Sequence, residues 1–326
     1  MHRLPFLIGR RLWQLVPIIV FATFVVFLLL HLVPGDPAVT LAGDYASKER
    51  IAEIRQIYGF DKPLIVQYGV WLGHTVMGDF GKSLLSSAPV LDLIKQRLPN
   101  TILIATYALL IAGAIGIPLG VLAATRVGSR VDTFVTSIAS LGVALPSFWL
   151  AILLVANFSL IFHWFPATGA RPITVDPRLA ILHATLPAVA LAVGVIAELA
   201  RQVRSALIEV LSSQYYRTLR AKGLSPIAML WKHGLRNVSV TMLTILGLQV
   251  NRLFSGAVVI EAVFAVPGAG QLVAYSAINK DFPVVQGVVL VLVVIVILIN
   301  LTVDVLSALL DPRAAQACPR SSTRAR

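Results

Sequence analysis

The sequence predicts an all-α, polytopic membrane protein with six transmembrane helices. Three observations predict it. Of 326 residues, 57% are hydrophobic and only 13% charged, where a soluble domain carries roughly a quarter charged residues. Six apolar stretches, approximately 12–33, 100–124, 133–162, 179–200, 238–265 and 284–310, are each long enough to cross about 30 Å of hydrocarbon as a helix. Between them, Lys and Arg fall unevenly on the two sides.

The first stretch follows Arg3, Arg10 and Arg11 and ends at Pro34-Gly35-Asp36-Pro37. A cleaved leader would share its polarity. Its length and the lack of a small-x-small cleavage site predict a retained span instead. Region 34–99 follows, with seven Lys/Arg balanced by seven Asp/Glu. Within it, Ile51, Ile54 and Ile57 or Tyr58 share a helical face, as do Leu64, Tyr68, Trp71 and Leu72. Short helices are expected there, either lying in the headgroup layer through Tyr68 and Trp71 or packed on the ends of the spans. Gly116, Pro118 and Gly120 interrupt the second stretch and Pro146 the third. These are expected to be packing kinks rather than moving hinges.

Basic residues set the expected orientation. With the N-terminus in the cytoplasm, Arg126 and Arg130 lie inside, together with Arg201, Arg204, Arg217, Arg220, Lys222, Lys232 and Arg236, and with Arg313, Arg320, Arg324 and Arg326 of the tail. The positive-inside rule then puts both termini in the cytoplasm, which suits an even number of spans. The net charge of +12 is thereby read as orientation, with membrane lipid rather than nucleic acid as its counterpart. The lone Cys318 excludes an internal disulfide and a cysteine metal cluster. No cofactor and no metal site are expected.

Segment 201–237 reads RQVRSALIEVLSSQYYRTLRAKGLSPIAMLWKHGLRN. It is helix-forming but breaks at Gly223, which suits a left-handed residue at a helix end. Ser225 is a good N-cap and Pro226 fits the first turn of the next helix. A helix, a tight turn and a second helix result, with Arg217, Arg220 and Lys222 beside the turn. Such a basic elbow suits docking against another protein. An ordinary positive loop near anionic lipid would carry similar charge, but the Gly-x-Ser-Pro punctuation favours the elbow.

The stretch Tyr216-Arg217-Thr218-Leu219-Arg220-Ala221-Lys222-Gly223-Leu224-Ser225 resembles the coupling loop of ABC-importer permeases, specifically the dipeptide/oligopeptide/nickel branch. The likeness extends in order through HLVPGDPA (31–38), YGFDKPLIVQYGVWL (58–72), GDFGKSL (78–84), RLPNTILIA (97–105), IGIPLGVLAA (115–124), LPSFWLAILL (145–154), HGLRNVSVTMLTILGLQ (233–249), GAVVIEAVFAVPGAGQLV (256–273), DFPVVQGVVL (281–290) and NLTVDVLSALLDPR (300–313). Three departures stand out. Leu219 replaces the usual Ala and is expected to alter the docking surface. Thr241 replaces a frequent Pro, so span five should start less kinked. Asn251 and Arg252 interrupt a stretch that is usually small and apolar.

The resemblance implies the type I importer permease fold. It implies a first span within 1–33, an external region 34–99, a five-helix permease core over 100–310 that includes the coupling loop, and a cytoplasmic tail 311–326. It implies import of short peptides, with glutathione, nickel or haem as alternatives, through a bacterial inner membrane. The implied partners are a homologous second permease in a heterodimer, two cytoplasmic ATP-binding subunits and an external solute-binding protein. Residues 216–226 would dock on an ATPase subunit. The chain itself would hold no nucleotide and catalyse nothing. The nearest mimic of a phosphate loop, Gly81-Lys82-Ser83, has Val76 where that loop needs Gly.

Gln249, Asn251 and Arg252, near the middle of the fifth stretch, are the candidate pathway residues, since polar groups in lipid are costly and face the bundle interior or a water path. Two partners suit Arg252: a substrate carboxylate, or an acid such as Glu261 or one on the second permease. A free-standing secondary transporter would need symmetric halves and coupling-ion ligands, neither of which is visible. An intramembrane hydrolase would need a nucleophile with its base or a motif such as HExxH, and the six histidines are dispersed.

Overall fold

A computed structural model describes residue 13 and residues 16–28, 37–42, 46–57 and 59–310. Expectations about the basic N-terminal residues, Tyr58 and the tail 311–326 lie outside the described residues. Among those described there is no strand, only an isolated bridge between Lys82 and Pro89. In chain order the helices are α1 (Val16–Leu28), α2 (Pro37–Ala42), α3 (Lys48–Ile57), α4 (Leu64–Val76), α5 (Val90–Thr125), α6 (Arg130–Ala144) and α7 (Ser147–Leu154). They continue with α8 (Pro177–Ser212), α9 (Gln214–Ala221), α10 (Pro226–Ala228), α11 (Leu235–Val263), α12 (Ala269–Ile278) and α13 (Phe282–Leu310). Wider π-helical turns extend α7 over Val155–Ile161 and join α10 to α11 over Met229–Gly234.

Four helical stretches are long and apolar enough to cross a membrane: Val90–Thr125, Pro177–Ser212, Pro226–Val263 and Phe282–Ser307. They correspond to the second, fourth, fifth and sixth predicted stretches. The first is described only as the 13 residues of α1. The third departs from expectation. Instead of a kinked rod, α6 and the helix over Ser147–Ile161 meet at a bend of 95°. Proline explains the break: Pro146 offers no N–H, and it drives the preceding Leu145 into extended backbone, φ −75 and ψ 123. The described residues therefore give four continuous spans, or five if the bent pair counts as one.

Gly116 and Gly120 both lie within α5, which runs through them as one helix. A Cβ on Gly120 would lie 2.6 Å from the Ala200 carbonyl oxygen, and one on Gly116 3.0 Å from that of Ile196. The pair, four residues apart, is where the backbones of α5 and α8 approach closely, the usual employment of small residues between membrane helices.

The chain divides into two compact units. One comprises the described residues up to 108, with 147–191 and 253–297, and its core is built from Val90, Ile94, Ala269, Val284 and Val288. In it Tyr68 is turned inward onto α1. Its hydroxyl meets Thr23 Oγ1 at 2.9 Å and donates to the Val20 carbonyl at 3.0 Å, and its ring stands edge-on to Phe24 and Phe27. Of the two expected placements for α4, packing against a span is the one observed at Tyr68. The other unit comprises 109–146, 192–252 and the described residues from 298 onward. Leu199, Val203 and Ile245 form one of its clusters, and Ala124, Leu207 and Val238 another.

Candidate functional site

The elbow takes shape from its capping residues. Ser213 ends α8 and caps α9, its hydroxyl accepting the Tyr216 N–H. At the far end of α9 the Leu224 N–H reaches back to the Leu219 carbonyl at 3.4 Å, and the Gly223 N–H to that of Arg220 at 3.0 Å. This paired closure needs a left-handed residue, and Gly223 supplies it with φ +78. Ser225 then caps the next helix through the Ala228 N–H, with Pro226 in its first turn. From Pro226 the chain is helical without a break to Val263. Both arms of the elbow thus lead directly into long apolar helices.

The elbow has an inside and an outside. Tyr216, Leu219 and Met229 are buried against one another, with Leu211 and Leu224 packed around them. Burial pushes the Tyr216 phenol above its usual pKa, and Arg220 opposes the shift. Leu219 therefore forms the interior of the elbow rather than its docking surface, which corrects the expectation for that position: it falls on the same face of α9 as Tyr216, three residues before it. Outside stand Arg217, Thr218, Arg220, Ala221, Lys222, Ser225 and Pro226, all exposed, and Leu224 is half-buried.

Four elbow residues were not singled out from sequence. Ile227 and Trp231 are 73% and 68% exposed and stand one helical turn apart. Tyr215 and His233 link the two arms through a hydroxyl-to-Nδ1 hydrogen bond of 2.9 Å. The available signal was an apolar pair spaced by four inside a basic segment.

Beside the elbow, Arg204 of α8 grips Asp132 at the start of α6 with two hydrogen bonds, Nε to Oδ1 at 2.6 Å and Nη2 to Oδ2 at 2.8 Å. Asp132 also accepts the Gly128 N–H at 3.0 Å. Arg204 had counted only toward orientation. Its planar fork instead fixes the α5–α6 turn to α8, in the paired geometry to which guanidinium is suited.

The candidate pathway residues do not share one surface. Gln249 is buried within the chain, and its Oε1 has no hydrogen-bond partner among the described residues. Asn251 is half-buried and Arg252 exposed. Arg252 has no ion-pair partner among the described residues, and Glu261 is not one. Nine residues turn an α-helix through two and a half revolutions, so the two point to opposite sides of α11. Glu261, fully buried, accepts from Thr101 Oγ1 at 2.5 Å and from the Gln271 N–H at 2.8 Å. Thr101 Oγ1 accepts the Ala269 N–H at 2.8 Å, and Asn100 donates to the Pro267 carbonyl at 2.8 Å. A Cβ on Gly268 would stand 2.2 Å from the Glu261 carboxyl carbon. Glu261 is thus the peg on which the Pro267–Gly270 loop is hung.

Arg252 belongs to a different array. Thr241, Thr244, Leu248, Arg252, Ser255, Val259 and Ala262 are the exposed positions along this face of α11, recurring every three or four residues. Most are hydroxyl, small or charged, where a lipid-facing stripe would be uniformly apolar.

Comparison with known proteins gives a consistent picture. The chain matches the family described as binding-protein-dependent transport system inner membrane component over residues 116–316, and the N-terminal part of such membrane components over 3–105. It is 44% identical to a peptide transport system permease protein of Brucella abortus, covering 94% of this chain and 98% of that one. It is 38% identical to the oligopeptide transport system permease protein AppB of Bacillus subtilis, over 93% and 97% of the two chains. Among solved structures, a chain of the MetNI methionine ABC transporter in an inward-facing conformation superposes with a TM-score of 0.57 at 23% identity, covering 68% of this chain and 97% of that one. Fold, spans and sequence agree that this chain is a multi-pass membrane protein belonging to the family of inner membrane components of binding-protein-dependent transport systems.

Proposed function

We propose that this chain is one of two homologous permease subunits of an ATP-driven importer of short peptides, both termini lying in the cytoplasm. Region 34–99 faces outward and receives an external solute-binding protein. The elbow faces the cytoplasm and receives one of two ATP-binding subunits, which carry all the ATP chemistry. The relatives named above support peptides as the substrate class.

The elbow is the observation that carries this reading. Its apolar inside makes it rigid, and its outside offers a paired chemistry for docking: cations at Arg217, Arg220 and Lys222 beside the apolar knobs Ile227 and Trp231. Only Ser213 separates α9 from α8, and nothing interrupts the helix from Pro226 to Val263. A displacement imposed on the elbow is therefore delivered to two spans as rigid bodies.

The polar stripe of α11 faces the solute path, with Arg252 near its middle and Asn251 at its margin. Gln249 stands behind it, within the subunit. A guanidinium in mid-bilayer costs at least about 2.5–3.5 kcal/mol on insertion scales, so an exposed Arg252 needs water, an acid on the second permease, or a substrate carboxylate.

Reconstitution in proteoliposomes tests the reading. The complex with its ATP-binding subunits and binding protein should import a labelled tripeptide only with ATP inside. Arg217→Glu combined with Arg220→Glu should abolish retention of the ATP-binding subunits during purification while leaving the permease pair assembled. Full retention and full uptake by that variant would exclude the elbow as the docking site.

A further inference from the structure

We propose that a cavity in the outer part of the chain, between the helices that precede α5 and the start of α13, binds a short peptide by its C-terminal carboxylate. This inference rests on the peptide-importer reading and adds to it a site on the permease itself. The cavity measures about 750 Å³, within the range of roughly 300–1,000 Å³ typical of small-molecule pockets. Phe27, Phe60, Trp71, Phe80 and Phe282 supply aromatic walls. Gln56, Ser87 and Gln286 add polar groups to the lining, which suits a peptide backbone rather than a lipid acyl chain.

The charged groups select for an anion. Lys62 and Lys82 line the cavity with Asp79 and His74. Asp79 is already engaged, accepting the Gly81 N–H at 2.9 Å and lying 3.5 Å from His74 Nδ1, with Lys82 adding a longer-range attraction. Two ammonium groups therefore face one carboxylate that the local turn has claimed. The Lys62 chain lies back over Gly59, which turns the backbone there with a left-handed φ of +70.

The walls are held before any ligand arrives. Gln67 donates to the Lys62 carbonyl at 2.8 Å, which fixes the 59–62 turn to α4. Elsewhere in the lining Ser83 donates to Asp281 at 2.5 Å, and the Leu84 N–H to the same carboxylate at 2.9 Å. A preformed pocket loses less freedom on binding, which favours recognition of a flexible peptide.

The test uses the complex of the permease pair with its ATP-binding subunits in nanodiscs, without the binding protein. A tripeptide bearing benzoylphenylalanine is photolysed and its adducts mapped by mass spectrometry. Adducts are expected within 56–87 and 282–286, competed by an unlabelled tripeptide with a free carboxylate but not by its C-terminal amide. Lys62→Gln combined with Lys82→Gln should lower labelling at least tenfold while the complex still assembles. Adducts confined to other segments, equal competition by the amide, or displacement by anionic lipid alone would overturn the site. Uptake of the same tripeptide by the full system separates the two readings: import without labelling in the cavity removes this site only, and labelling without import removes the importer reading.

Discussion

Shortening Leu219 to Ala tests whether the elbow is a rigid lever. The side chain is 8% exposed and packed among Tyr216, Met229, Leu211 and Leu224. Three carbons are removed, each worth about 0.8 kcal/mol of buried apolar surface, or about 2.4 kcal/mol in all. A residual cavity adds little, because Leu211 and Leu224 are only partly buried and can close over the gap. That energy corresponds to a rise of about sixtyfold in the local opening of α9, readable as faster hydrogen exchange of amides 214–221 in nanodiscs. Arg220→Ala removes an exposed charge from the same helix and should leave exchange unchanged while weakening retention of the ATP-binding subunits. Unchanged exchange in Leu219→Ala, or an equal rise in both variants, would refute a packed interior to the elbow.

Four further outcomes are expected. Gly223→Ala must place a side chain at φ +78 and should raise exchange of the same amides by roughly 1–2 kcal/mol of opening energy. Gly120→Val drives into the Ala200 carbonyl and should lower detergent stability by about 1–3 kcal/mol, whereas Gly113→Val, with nothing within 4 Å of its Cβ position, should be neutral in the same thermal assay. Thr101→Val strips a donor from Glu261 and an acceptor from the Ala269 N–H, and should cost about 2–6 kcal/mol at about 1–3 per orphaned buried group, read as loss of folded protein on gel filtration. Arg252→Gln should assemble normally and reduce uptake of free-carboxylate peptides more than of their amides; equal uptake of both would remove Arg252 from substrate recognition.

Much of this architecture was legible because the responsible signals are local. Long apolar runs report spans whatever packs on them, and Gly223, Ser225 and Pro226 each carry a backbone preference that holds without neighbours. Hidden were the features fixed by partners distant in sequence. Arg204 reads as one cation among many until Asp132, 72 residues away, is brought to it. Glu261 reads as a mate for Arg252 until helical phase separates them and Thr101, 160 residues away, claims its carboxylate. Pro146 was ambiguous for a related reason: a proline allows either a kink or a complete break, and the neighbouring packing decides between them. Leu219 was misplaced because a departure from a familiar motif draws attention to the surface, while its phase with Tyr216 already placed it inside.

The polar residues in and around the spans fall into two kinds, and the difference identifies which of them can serve transport. Glu261, Thr101 and Asp132 are buried and have their hydrogen-bonding capacity taken up by neighbours in the same subunit. Such groups hold loops and helices in register, and a passing solute could engage them only by breaking existing bonds. Arg252 is the opposite case: it stands exposed on a stripe of hydroxyl and small residues, with no ion pair among the described residues. A charge left in that setting is costly in lipid, which is the reason for proposing that the stripe of α11 faces water or a partner protein. Burial alone would have ranked Gln249 first among pathway candidates. Ranking by the charge left without an ion pair among the described residues places Arg252 first.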